Sequence, residues 1–382
     1  MQKRWEHLTE DNFYAPAARR LTDWYERCKR DLPWRKTGDP YSVLVSEAML
    51  QQTQVSRVVA FYRRWMEKLP DFAALASADE SDVLALWQGL GYYSRARNLL
   101  KTARFLKSSG MKTLPADPGF LKKLPGLGPY TIGALCSIAF NMPVPAVDGN
   151  VRRVFSRLLD LDIDPAKSAG TGIIGRCAAD VLRRGEPRVL TQAFMELGAT
   201  VCLPQTAFRC GDCPVSPLCA ALKAGTQAQR PLSPRKNALL RREGAALLIE
   251  TPRGWLVRQR PASGLWAGFY EIPWIIADEG ESAPSALARL IDRTAPLGPC
   301  RDLGAEETMK FTRWQVRVRL WQTSAPCGND AIFKSDEELK ALPMPAGLKR
   351  LVVKALEKNS WSFLSPDLIM TETEQHIQLQ TR

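Results

Sequence analysis

The stretch from Leu124 to Val154, LPGLGPYTIGALCSIAFNMPVPAVDGNVRRV, constrains this chain more than any other. Its opening, Pro125-Gly126-Leu127-Gly128-Pro129, cannot continue a helix, and the two glycines let the backbone turn sharply and approach a partner closely. The apolar run Ile132–Phe140 then starts a new helix. A glycine turn feeding a helix N-terminus presents unpaired N–H groups at the positive end of the dipole, which suits one phosphate of a nucleic-acid backbone. After a Pro-rich loop come Asp148, Gly149 and Asn150 and a helix bearing Arg152, Arg153 and Arg157. Asp148 fits two roles, an N-cap for that helix or a carboxylate turned toward a substrate.

Charge points to a polyanion. Residues 1–225 carry net +9 and residues 226–243 net +4, while 244–382 are balanced, so the first two thirds would grip phosphate and the last third would add recognition. No run approaches the ~18 apolar residues of a membrane span, and the start, MQKRWEHLTEDNF, lacks an apolar signal core. A cytoplasmic protein associated with the nucleoid is expected, acting as a monomer. Nine cysteines without a secretion signal argue for thiols or a metal centre rather than disulfides. Cys202, Cys210, Cys213 and Cys219, spaced C-x₇-C-x₂-C-x₅-C, suit tetrahedral zinc or a [4Fe-4S] cluster. The other five read as buried structural thiols.

Two further segments carry chemistry. Residues 1–31 read as an amphipathic helix through Leu21, Trp24, Tyr25 and Cys28, broken at Leu32-Pro33-Trp34-Arg35. Tyr41–Leu69 reads as one long helix with Glu47 set among apolar residues. Desolvation there would keep its carboxyl protonated to higher pH and able to donate a proton; the plain alternative is a surface glutamate. Gln51 to Gln54 and the turn Gly89-Leu90-Gly91-Tyr92-Tyr93 offer hydrogen-bonding and aromatic side chains suited to wedging a duplex, or else a polar helix face and core tyrosines.

The order of hairpin, short helix, Pro-rich loop and aspartate resembles the helix-hairpin-helix DNA glycosylase superfamily, and SEAMLQQTQV resembles the catalytic helix of adenine DNA glycosylases of the MutY family. The resemblance implies that Glu47 protonates adenine, that Asp148, with Asn150 beside it, supports the opened sugar, and that Trp34, Arg35 and Gln192 line the base pocket. It implies insertion of Gln52 and Tyr92 into the duplex, phosphate contact at Gly126 and Gly128, and a [4Fe-4S] cluster on the four cysteines, with one residue more than the family's usual first gap. Tyr130 stands where lyase-competent relatives such as endonuclease III carry lysine, and a tyrosine cannot form a Schiff base. A monofunctional hydrolase is therefore expected, the alternatives being an endonuclease III-like glycosylase/lyase or a non-catalytic DNA-binding protein.

Beyond a basic linker at 226–243, residues 244–356 resemble the Nudix-like domain of the family, without the acid-rich box that would hold magnesium, and a polar tail follows at 357–382. A hairpin (245–250 with 255–259), a helix at 283–293 and a strand at 314–321 are expected there. The family reads 8-oxoguanine with Phe-Ser-His; this chain offers Phe311, Thr312 and Arg313 after Met309-Lys310, and its histidines are only His7 and His376. The expected whole is multidomain: an all-α helix-hairpin-helix glycosylase region over 1–225 with its cluster loop at 202–219, then the α+β Nudix-like region. Its partner would be duplex DNA with A:8-oxoguanine or A:G mispairs.

Overall fold

The computed structural model describes residues 10–232, 239–261, 264–294, 297–311, 313–326 and 332–359. The chain divides into two units, residues 1–236 and 237–382. The first is helical and the second is built on a sheet, the α then α+β arrangement that the sequence calls for. No helix among the described residues is long and apolar enough to cross a membrane.

In the first unit, α1 (Ala15–Cys28) buries Leu21, Trp24 and Tyr25, and the chain turns extended at Lys29 ahead of the Leu32-Pro33 step. The helix follows a π turn over Glu10–Tyr14 and stops at Cys28, short of the expected 31, residues 1–9 lying outside the described residues, and Cys28 is exposed rather than buried. The segment 41–69 is not one helix but two, α2 (Pro40–Leu50) and α3 (Val55–Lys68), parted by a turn in which Gln52 takes φ +58°. Helical spacing alone could not reveal the break. What ends α2 is the Arg95 guanidinium, which takes the carbonyls of Ala48, Met49 and Gln51 away from any onward helical ladder. Every residue of α2 from Tyr41 to Met49 is buried, whereas α3 buries only the stripe Val58, Tyr62 and Trp65.

α4 (Phe72–Ser77), α5 (Glu80–Trp87), α6 (Ser94–Ser108), α7 (Pro118–Leu121) and α8 (Pro129–Ala134), which runs on into a π turn over Leu135–Ala139, complete one core around Trp65, Trp87 and Leu100. A second core joins α1 to α9 (Gly149–Leu158), α10 (Ser168–Leu182), α11 (Pro187–Thr200) and α12 (Ala220–Ala224), around Phe155 and Phe194. Met195 of α11 packs against both.

The second unit has β1 (Leu240–Thr251), β2 (Gly254–Gln259), β3 (Tyr270–Glu271), β4 (Trp274–Ile276), α13 (Ala283–Ile291), β5 (Arg301–Phe311), β6 (Trp314–Ser324), β7 (Ile332–Lys334), α14 (Asp336–Ala341) and α15 (Ala346–Asn359). The sheet runs β3-β2-β1-β6-β5, with β4 also paired to β1 and β7 to β2. Among the described residues only β1 and β6 run parallel, in register from Leu240↔Trp314 to Glu250↔Ser324. Alternation along β1 sends Leu247 and Ile249 to α13 on one face, and Ala246 and Leu248 to α15 on the other. Residues 240–243, assigned to the linker from sequence, are the first four of β1, because their partners Trp314 to Arg317 extend the ladder that far. Residues 357–359 of the expected tail continue α15, and 360–382 lie outside the described residues.

Candidate active site

A pocket of about 550 Å³ opens between the two cores of the first unit, walled by Glu47, Tyr130, Asp148, Trp34 and Gln192. Glu47 comes from the buried stretch Tyr41–Met49 of α2, is 4 % exposed, and accepts a hydrogen bond from the Tyr130 hydroxyl. Burial pushes its carboxyl up to about 7; the Tyr130 hydrogen bond and the Arg35 charge oppose this, and Asp148 adds to it. Tyr130 itself is held well above its ordinary value by burial and then by the neighbouring carboxylates.

Of the two roles left open by the sequence, Asp148 fills that of N-cap, and it also lines the pocket. As N-cap of α9 its Oδ1 accepts from the Val151 N–H at 2.7 Å, and its Oδ2 accepts from Asn150 Nδ2 at 3.1 Å while the side chain faces the pocket. Burial raises its carboxyl above the ordinary value against those hydrogen bonds. Asn150 is held in turn by Arg153, whose Nη2 donates to Asn150 Oδ1 at 2.8 Å and to the Gly198 carbonyl at 2.7 Å. A Cβ at Gly198 would fall 2.6 Å from that of Asn150, so glycine is what lets α11 approach α9 here. The described residues lining the pocket include arginines and no lysine.

On the other wall, Trp34 is buried edge-on to Tyr62 at 5.4 Å between centroids. Arg35 donates to Glu196 at 2.7 Å, and Arg30 grips the same carboxylate through two nitrogens at 2.7 Å each. Burial would raise the Glu196 carboxyl, but the two guanidiniums outweigh it and hold it below the usual range. Glu196 and Arg30 escaped the sequence reading. The signal that picked out Glu47, an acid inside an apolar helix, recurs in AFMELG and would have found Glu196. Gln192 has both amide ends engaged, accepting from the Tyr25 hydroxyl at 3.2 Å and donating to the Arg188 carbonyl at 3.1 Å.

Gln52 and Tyr92 are exposed at turns and both have positive φ, +58° and +48°, unusual for residues with a side chain. In the hairpin only Gly126 needs its freedom, with φ +79° and a Cβ that would meet Asn98 Nδ2 at 2.4 Å. Gly128 caps α8 at φ −81° and faces open space.

The four clustered cysteines line one small cavity of about 30 Å³, with Arg157 donating to Cys202 Sγ at 3.3 Å. Burial pushes the thiol of Cys213 up to about 12 and that of Cys219 to about 11. Arg157, buried, fixes the loop by donating to the carbonyls of Leu203, Gln205 and Gln227. No three His, Cys, Asp or Glu side chains among the described residues are arranged to hold a single metal ion. Of the isolated cysteines, Cys136 and Cys177 are buried, Cys300 is half-buried, and Cys327 lies outside the described residues.

In the second unit Phe311 ends β5 opposite Trp314, and its ring lies 4.9 Å from Trp266. Arg313 stacks over Trp314 at 5.0 Å. Met309 is buried beneath Gly347, and Lys310 and Phe311 carry β5 to its end; Thr312 lies outside the described residues.

Residues 45–169 match the HhH-GPD superfamily of base excision DNA repair proteins, and residues 244–354 match the NUDIX domain. The adenine DNA glycosylase of Rattus norvegicus is 37% identical over 355 residues, covering 78% of this chain and 69% of that protein. That of Homo sapiens is 42% identical over 233 residues, covering 58% of this chain and 42% of that protein. The solved structure of a thermostable thymine-DNA glycosylase aligns over 54% of this chain and 95% of its own, at 25% identity and a TM-score of 0.49. Endonuclease III-like members of the superfamily generally carry an iron–sulfur cluster. By its two domain matches and its identity to relatives over most of its length, the chain belongs to the adenine DNA glycosylase family of base excision DNA repair enzymes.

Proposed function

We propose that the chain is a monofunctional glycosylase that removes adenine mispaired with 8-oxoguanine or guanine in duplex DNA, acting as a monomer in the cytoplasm at the nucleoid. The observation that carries this is Glu47: a buried carboxyl lining a pocket with ample room for a base, pushed up to about 7, with Asp148 on the facing core. Glu47 gives its proton to the extruded adenine, the C1′–N9 bond breaks with its electron pair leaving on the base, and the ionised Asp148 stabilises the cationic sugar until water adds. Tyr130 holds the Glu47 carboxyl in place, and Asn150 orients Asp148. Trp34 supplies a stacking wall and Arg35 a donor to the base. Gln192 bounds the pocket as a wall first, since its amide already has partners on both ends. Gly126 and Gly128 sit against phosphate, and Gln52 and Tyr92 fill the space of the extruded base.

That the described residues lining the pocket include no lysine, with Tyr130 beside Glu47, supports hydrolysis without a lyase step. Cys202, Cys210, Cys213 and Cys219 hold a [4Fe-4S] cluster. The four thiols line one cavity and supply the complete Cys₄ set that such a cluster takes. The cluster would order the loop beside Arg157 and Arg209 and supply no step of the reaction. Phe311, Thr312 and Arg313 read the base opposite adenine, supported by the aromatic platform of Trp266 against Phe311.

The test is single-turnover excision on a panel of A mispairs. Glu47→Gln is expected to lose roughly 10²–10⁴-fold in rate while binding DNA as the parent does. Full excision by that variant refutes the mechanism, absence of excision by the parent on every A mispair refutes the activity, and efficient borohydride trapping of a DNA adduct refutes the monofunctional assignment.

A further inference from the structure

Arg95 is the second residue of α6, is 9 % exposed, and spends its terminal nitrogens on backbone carbonyls of two separate segments. Nη1 donates to Ala48 at 2.6 Å, Met49 at 3.3 Å and Gln51 at 2.8 Å, closing the C-terminal end of α2. Nη2 donates to Leu90 at 3.0 Å and Gly91 at 2.9 Å, closing the glycine turn before α6. The guanidinium plane also lies 5.3 Å from the Trp87 ring and 5.5 Å from the Tyr92 ring. A planar fork with donors on both arms can hold two backbones at a fixed separation; an ammonium on a flexible stem cannot.

The chain position of these carbonyls matters. Gln51 precedes Gln52 and Gly91 precedes Tyr92, so each of these two positive-φ residues follows directly on a carbonyl that Arg95 grips. Such backbone persists only where its surroundings over-determine it. Without the guanidinium, the end of α2 would lose the cation that satisfies its last carbonyls, and the two turns would relax independently.

On the reading of Gln52 and Tyr92 as inserted residues, we propose that Arg95 is a positioning residue for base extrusion, locking the two turns into one rigid wedge so that both side chains enter the duplex together. Its contribution falls on opening the helix. The proton transfer from Glu47 is left largely as it was.

The experiment compares Arg95→Met and Arg95→Lys with the parent on two duplexes, one with adenine opposite guanine and one with adenine opposite a tetrahydrofuran abasic analogue, where no partner base has to be unpaired. Single-turnover rates and the fluorescence of 2-aminopurine at the target position are read for each. Both variants are expected to lose ~10–100-fold on the paired duplex and only a few-fold on the unpaired one, from the strength of charge-assisted hydrogen bonds, with a matching loss of 2-aminopurine signal. Because both substrates see the same preparation, the ratio is insensitive to the fraction folded. Equal losses on the two duplexes would assign Arg95 to general support of the pocket and overturn the proposal. Gln52→Ala and Tyr92→Ala separate the levels: if neither slows the paired duplex, the reading of inserted residues fails; if both do and Arg95→Met does not, the wedge lock alone fails.

Discussion

Glu47 sits near the midpoint of its titration at neutral pH, because burial pushes its carboxyl up to about 7. A general acid must hold its proton, so excision is expected to fall about tenfold per pH unit above the midpoint. Asp148 must be ionised to steady a cationic sugar, and burial raises it too, so the rate also falls in acid and the profile is bell-shaped. Stability follows the same titration. The unfolded carboxyl loses its proton near 4.5 and the folded one near 7, so the folded state binds more protons between these values. That stability is fully present below 4.5 and is lost as pH rises through 7, a total of roughly 3 kcal/mol. Glu47→Gln cannot ionise, so its Tm relative to the parent should rise by several degrees from pH 5 to pH 8. An unchanged difference would mean that the carboxylate is solvated.

At the scale of single elements, the hairpin glycines have separable jobs. Gly126→Ala adds a Cβ against Asn98 at a backbone with φ +79°, and is expected to cost ~1–3 kcal/mol and to lower Tm and DNA affinity together. Gly128→Ala meets open space at an ordinary φ, so it should leave Tm nearly unchanged and weaken DNA binding alone if phosphate approaches there. Thermal melts with binding isotherms on both variants check this, and equal effects of the two would contradict it. The cysteine loop behaves as another element. Cys213→Ser is expected to lose iron by elemental analysis and visible absorbance, and to weaken folding and DNA binding together. Zinc without iron in the parent protein would overturn the cluster.

For the whole molecule, residues 1–243 carry the entire excess of 13 positive charges and the remainder is balanced. A fragment ending at Lys236 keeps the helical unit intact. It is expected to excise adenine and to bind undamaged duplex with a salt dependence close to that of the full chain, while losing any preference for 8-oxoguanine over guanine opposite adenine. Retention of that preference would place lesion reading in the helical unit and remove the role proposed for Phe311 and its neighbours.

Local order in the sequence carried most of the candidate site, because its residues stand out against their near neighbours. The hairpin glycines, Asp148 before its arginine-rich helix, Glu47 among apolar neighbours and the four clustered cysteines were all legible from neighbours within a few positions. The β1–β2 hairpin, two short runs about a Pro-Arg-Gly turn, and the strand β6 were legible in the same way. Tertiary structure alone decided what depends on distant partners. The break between α2 and α3 is set by a guanidinium more than forty positions downstream, which periodicity cannot register. Glu196 gathers Arg30 and Arg35 from across the chain, and Gln192 is engaged by Tyr25 from α1. The pairing of Glu47 with Tyr130 on one core and their opposition to Asp148 on the other exist only once two cores pack around one pocket, and burial there sets the protonation of both acids.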